Sequence, residues 1–214
     1  MLAPTLKLRP VIRQTTGETP VVLADILKDG VNLALWQRQL PLHIAEFGEL
    51  LVSLSEPLAE SLVIELSGED AEPNLQGLAS SCSDLEGYEG FIADVSWLVS
   101  AFACLLGAKR IGVRLRLLDK AMCPRFHVDH VPVRLITTYA GIGSQWLREG
   151  VMDRRHLSQA GAEPEEGVEQ IHCGEVALLK GEKWHGNEGF GLIHRSPQLS
   201  ANERRLILTL DWLA

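Results

Sequence analysis

The feature that most constrains the fold is a change of periodicity at Arg110. From there Ile111, Val113, Leu115 and Leu117 alternate with Arg114 and Arg116. That is the period-two pattern of a strand with one buried face. VRLITTY (133–139), SQWLR (144–148), EVALLKG (175–181), GLIH (191–194) and RLILTLDWL (205–213) follow, separated by turn-forming stretches such as AGIGS, CGE, GNEG and HRSPQLS. Short half-apolar strands bury their apolar faces only by closing on one another. Residues 108–214 are therefore predicted to form an antiparallel sandwich or barrel. A polar stretch, 148–174, interrupts the strands and reads as a long inserted loop.

Upstream the spacing is different. Phe91, Val95, Leu98, Phe102 and Leu105 or Leu106 recur every three to four residues, and Gly107 supplies a stop, so 91–107 is predicted as a helix. Ile44, Phe47, Leu50 and Leu51 predict another from Pro41. TPVVLADILKDG (19–30) reads as a short helix with Thr19 as cap and Gly30 as stop. NLALWQR and Leu62–Leu66 read as strands, residues 1–18 as an extended surface segment, and 68–90 as an acidic, Gly-rich loop. The sum is a single α+β domain, with 1–107 a mainly helical support for a β core over 108–214.

Length and composition narrow the function. A chain of 214 residues can bury a sizeable core. The formal net charge of −8, without a Lys/Arg run, predicts no nucleic-acid partner. There is no N-terminal apolar h-region, and VSWLVSAFACLLGA (95–108) reads as a buried helix, so no membrane role is expected. Cys82, Cys104, Cys123 and Cys173 show no CxxC spacing, which predicts neither a disulfide framework nor a zinc ribbon. A reduced, cytoplasmic protein is expected.

The chemistry concentrates in CPRFHVDH (123–130). Residues two apart on an extended strand share a face, so His127 and Asp129 would converge on one point. An imidazole and a carboxylate are two thirds of a facial metal triad, and His194 in GLIHRSP is the candidate third ligand. Arg205 opens a strand on which Ile207 and Thr209 share its face. Its guanidinium fork suits the free carboxylate of a metal-chelated 2-oxo acid. Arg204 competes for that role, because a one-residue slip reverses the faces. Arg134 and Thr138 share a face of the strand after the motif and could line the pocket, whereas Lys180 reads as a solvated strand-end lysine.

The pattern HVD…GEVALLKG…GLIHRSP…RRLILTLD resembles the core of the iron(II)/2-oxoglutarate-dependent oxygenases over roughly residues 108–214. The resemblance implies a double-stranded β-helix, a jelly-roll or cupin-like barrel. It implies His127, Asp129 and His194 as ligands of Fe(II). Arg205 becomes the anchor for 2-oxoglutarate, with Thr209 beside it and Arg134 and Thr138 along the pocket. A small molecule or a protein would be the oxidised substrate. More narrowly, CPRFHVDHVPVRL with LLKGE and HRSP resembles a bacterial family defined only as a domain of unknown function, with a link to metal homeostasis. Two other readings use the same residues. One is a non-catalytic zinc-binding protein recruiting Cys123 and His130 as extra ligands. The other is a cupin-like isomerase or hydrolase.

Overall fold

The computed structural model describes residues 11–54, 56–68, 71–157, 164 and 166–213. In chain order the strands and helices are β1 (Arg13–Gly17), β2 (Val31–Trp36), α1 (Leu42–Leu54), β3 (Ala59–Glu65), α2 (Tyr88–Leu106), β4 (Arg110–Leu118), β5 (Val133–Ala140), β6 (Gln145–Leu147), β7 (Val168–Gln170), β8 (Val176–Lys180), β9 (His194–Arg195) and β10 (Arg205–Leu213). Short 3₁₀ turns lie at Pro20–Leu27, Ser80–Cys82 and Arg154–His156.

The strands form two sheets. The larger runs β1-β2-β8-β5-β10-β4-β3 and the smaller β7-β6-β9. A bridge between His127 and His194 extends the small sheet by one more segment. Followed along the chain, β4 lies in the large sheet, His127 in the small, β5 in the large, β6 and β7 in the small. β8 then returns to the large sheet, β9 to the small and β10 to the large. This repeated crossing between two facing sheets is the winding of a double-stranded β-helix.

Side-chain alternation assigns the two faces of the large sheet. Leu33, Leu35, Ile136, Ala177, Leu179 and Ile207 point inward and meet Trp146, Ile171 and Leu192. Leu135, Tyr139, Leu206, Leu208 and Leu210 point outward into a cluster with Phe47, Phe91, Leu98 and Phe102 of the helices. A sheet covered on both sides buries residues on both, which is why β5 and β10 are buried along nearly their whole length. Gly48 lets α1 approach β5 closely: a Cβ there would sit 2.8 Å from the Tyr139 carbonyl oxygen. Arg38 and the Tyr139 hydroxyl both donate to Asp94, at 2.6 Å each for the shortest contacts, and tie α2 to the sheet.

The expectation of a mainly helical N-terminal half is corrected. β1, β2 and β3 all join the large sheet, so that sheet draws on both halves of the chain. Residues 19–30 hold only a 3₁₀ turn, and part of the segment expected to lie extended on the surface is the edge strand β1. The reason is physical. β2 is buried along nearly its whole length, and a short apolar run carries no periodicity that separates strand from helix. The inserted stretch contributes β7 and the turn at Arg154–His156, while 158–163 and 165 fall outside the described residues. α2 ends as expected, at Gly107 with φ 62° and its N–H bonded to the Ala103 carbonyl. By length and composition alone α2 could cross a bilayer. Here Phe91, Val95, Leu98 and Phe102 pack in the core instead.

Candidate metal centre

His127 and His194 exchange both backbone hydrogen bonds, N–H to carbonyl oxygen at 3.0 Å in each direction. Directly opposed residues of an antiparallel pair project to the same side, and the imidazole centroids lie 4.6 Å apart. Asp129, two residues on, joins them: its Oδ1 is 3.8 Å from His127 Nε2 and its Oδ2 is 3.5 Å from His194 Nε2. One donor atom from each of the three residues falls within 4.8 Å of the others. Asp129 and His127 are partly buried and His194 is buried.

The proton positions on the rings follow from their partners. His127 Nδ1 faces the Arg125 carbonyl at 3.0 Å and His194 Nδ1 faces the Leu192 carbonyl at 3.1 Å. A carbonyl only accepts, so each Nδ1 carries the hydrogen and each Nε2 turns a lone pair toward Asp129. Burial pushes the His194 imidazole down to about 4, with the Asp129 carboxylate opposing that shift. Neutral imidazole is the form that binds a metal. Two such nitrogens and one carboxylate suit a divalent ion of the iron or zinc type. With metal–ligand bonds of about 2.1 Å, cis ligands lie about 3 Å apart, so the two Asp129–histidine spacings of 3.8 and 3.5 Å need only a small closure. The residues fit the metal.

Asp129 is held from behind. Arg134 Nη1 donates to its Oδ2 at 2.8 Å, while Arg134 Nε and Nη2 donate to the two oxygens of Asp211 at 2.7 and 3.2 Å. Asp211 also pairs with Arg114, and the register places Asp211 opposite Arg134 across β10 and β5.

The other end of the same inner face has a different character. Arg205 is 0% exposed; its Nη2 donates to Ser144 Oγ at 2.9 Å and to Thr138 Oγ1 at 3.4 Å. Its Nε and Nη1 have no acceptor among the described residues, and no carboxylate there pairs with it. Desolvation draws the guanidinium down to about 10, so it remains a cation near neutrality. A buried cation with two unpartnered nitrogens is a cradle for a carboxylate. Arg134 and Thr138 lie four residues apart on β5, about 13 Å at strand rise, with Ile136 between them. On the small sheet Trp146 pairs with His194, and Ser144 precedes Trp146 by two residues. Trp146 Nε1 is likewise buried with no acceptor among the described residues.

The structure thus brings together His127, Asp129 and His194, and separately Arg205 with Thr138. Thr209 lies on the inner face of β10, opposite Ile136. Arg134 lies near the triad, bonded to the chain's own carboxylates. Arg204 is only partly buried, whereas Arg205 turns inward to Thr138 and Ser144. Cys123 and His130 are exposed and stand outside the ligand cluster. Lys180 corrects an expectation: it is 2% exposed, donates to the Lys28 carbonyl at 2.9 Å and lies 4.7 Å from the Trp184 ring centroid. The segment before β2 covers that strand end. Sequence reasoning missed Asp211, Ser144 and Trp146. Asp211 had a signal, as an acidic residue at an inward position of RLILTLD; Ser144, in a Gly-rich turn, had none.

Fold and site together define a double-stranded β-helix protein with a two-histidine, one-carboxylate centre. The chain belongs to the family described as "Protein of unknown function (DUF1826)", whose model matches residues 17–211. No curated protein matches it. Similar solved structures include a Pseudomonas putida prolyl-4-hydroxylase, 14% identical, covering 90% of this chain and 96% of that one at a TM-score of 0.46. A bsmA homolog from Methylobium petroleophilum is 12% identical, with 97% and 99% coverage and a TM-score of 0.49. A 2OG-Fe(II) oxygenase-family oxidoreductase from Burkholderia pseudomallei is 13% identical, with 94% coverage of each chain and a TM-score of 0.41. At these identities and scores they assign no function to this chain.

Proposed function

We propose that the protein is an iron(II)- and 2-oxoglutarate-dependent oxygenase. The single observation that carries this reading is the pairing, inside one barrel, of a three-ligand centre with a buried guanidinium that meets no carboxylate among the described residues. Three protein ligands on one side of an octahedral ion leave the opposite face free for a chelating co-substrate and dioxygen. When iron(II) and 2-oxoglutarate are bound, the chemistry supplied is oxidation by dioxygen: the co-substrate becomes succinate and carbon dioxide, and the second oxygen atom enters a C–H bond of the substrate.

The chain's own residues do the rest. His127, Asp129 and His194 hold the ion from one side. Arg205 neutralises the far carboxylate of the 2-oxo acid through its free N–H groups, while Ser144 and Thr138 hold the guanidinium in place. Thr209 offers a hydroxyl on the same face. Ile136, Ile207, Leu192 and Trp146 pack as one buried apolar cluster between the sheets and would keep water from the reacting end. The four-ligand zinc reading draws no support, because Cys123 and His130 lie outside the cluster. The test is the metal content of protein purified without added metal, together with succinate release from 2-oxoglutarate. Iron with dioxygen-dependent succinate release is expected; zinc with no turnover overturns the proposal.

A further inference from the structure

We infer that Asp211 is a positioning residue for the metal centre, acting through Arg134 to keep Asp129 a one-oxygen ligand. The inference rests on the metal reading of the triad and goes one layer behind it. Asp211 is 2% exposed, yet it touches none of the three candidate ligands. Its carboxylate takes two N–H groups of Arg134, which fixes the guanidinium plane. The remaining edge of that plane delivers Nη1 to Asp129 Oδ2 at 2.8 Å.

A carboxylate free to rotate can bind a metal through both oxygens. Doing so at this centre would consume a coordination position that a chelating co-substrate needs. With Oδ2 engaged by a charged donor, Oδ1 is the oxygen left with its lone pairs unclaimed. The charge count agrees. Asp129 and Asp211 bring two negative charges and Arg134 and Arg114 bring two positive ones, so the network is neutral before an ion arrives. Arg114 approaches Asp211 from the open side, its side chain 45% exposed, and makes no contact with Asp129. The same Asp211 contacts could instead serve only to tie β10 to β5, and the two roles separate by experiment.

Metal-free protein is titrated with Co(II), and the ligand-field absorption is read for affinity and for coordination number. Asp211→Asn is expected to weaken Co(II) binding about tenfold or more and to alter the band intensities, as loss of the group orienting a metal ligand does. Arg114→Gln removes the other Asp211 pairing, to β4, while leaving Arg134 in place, and is expected to stay within about twofold of wild type; a role confined to tying β10 to β5 predicts instead an unchanged Co(II) affinity and spectrum in folded Asp211→Asn. Should Asp211→Asn fail to fold, Arg134→Lys keeps the cation without the two-edged bridge and must show the same loss and spectral change. Wild-type affinity and spectrum in Asp211→Asn or Arg134→Lys overturn the inference, as does an equal loss in Arg114→Gln. Absence of Co(II) binding by the wild-type protein sinks the metal reading itself, which is a separate failure.

Discussion

The two ends of the barrel's inner face handle charge in opposite ways. At the His127 end, Asp129 is met by Arg134, Arg134 by Asp211, and each histidine Nδ1 by a backbone carbonyl. What that end turns inward is lone pairs, and it is complete for a cation. At the Arg205 end a guanidinium is buried, bonded to two hydroxyls, with no carboxylate paired to it among the described residues. That end is complete only when an anion arrives. Leaving a buried cation without a counter-charge costs folding free energy, so under the proposed function Arg205 serves binding rather than stability.

Predictions that break or sharpen this contrast run from large to small. His127→Ala and His194→Ala are each expected to abolish metal retention, read by elemental analysis, while the far-ultraviolet circular dichroism stays that of the folded protein. Retained metal in either would dissolve the first half of the comparison. Arg205→Met is expected to be at least as stable as wild type, since a buried unpaired charge gives way to apolar volume, but to lose its thermal shift with 2-oxoglutarate. In wild type that protection should reach about 2.7 kcal/mol at a ligand concentration of about 100 Kd. A variant that is less stable and still protected would show that Arg205 is structural.

The third prediction concerns pH in the metal-free protein. Burial holds His194 at about 4 in the folded state, against about 6.5 unfolded. Between those values the unfolded chain binds more protons, so stability should be full above about pH 6.5 and fall as pH drops toward about 4. Urea midpoints across that window measure it, and His194→Phe should flatten the slope. The smallest effect is expected from Cys123→Ser and His130→Ala, both exposed and outside the cluster. Metal stoichiometry should be unchanged in each; loss of metal in Cys123→Ser would revive a sulfur-ligated zinc site.

Much of this was legible before the structure, for identifiable reasons. The alternation after Arg110 marked β4, and turn signals bounded β5, β8 and β10, because each of those strands has its own local punctuation. The triad was legible because a two-residue spacing converts directly into a shared face. β1 and β7 were not, being short strands of mixed polarity, neither with a fully buried face to mark it in the sequence. Asp211 was visible only as an inward acid, since its meaning comes from Arg134, 77 residues away.

By itself the sequence determined which side chains could serve as ligands and which strands were half-buried, because both follow from residue type and period. Tertiary structure alone decided that β1, β2 and β3 complete the large sheet. It also decided that His194 comes back to bridge His127, and that Arg205 rather than Arg204 faces inward, with no carboxylate paired to it among the described residues. Those outcomes depend on sheet register and on which groups are excluded from water, and neither quantity exists until distant segments pair.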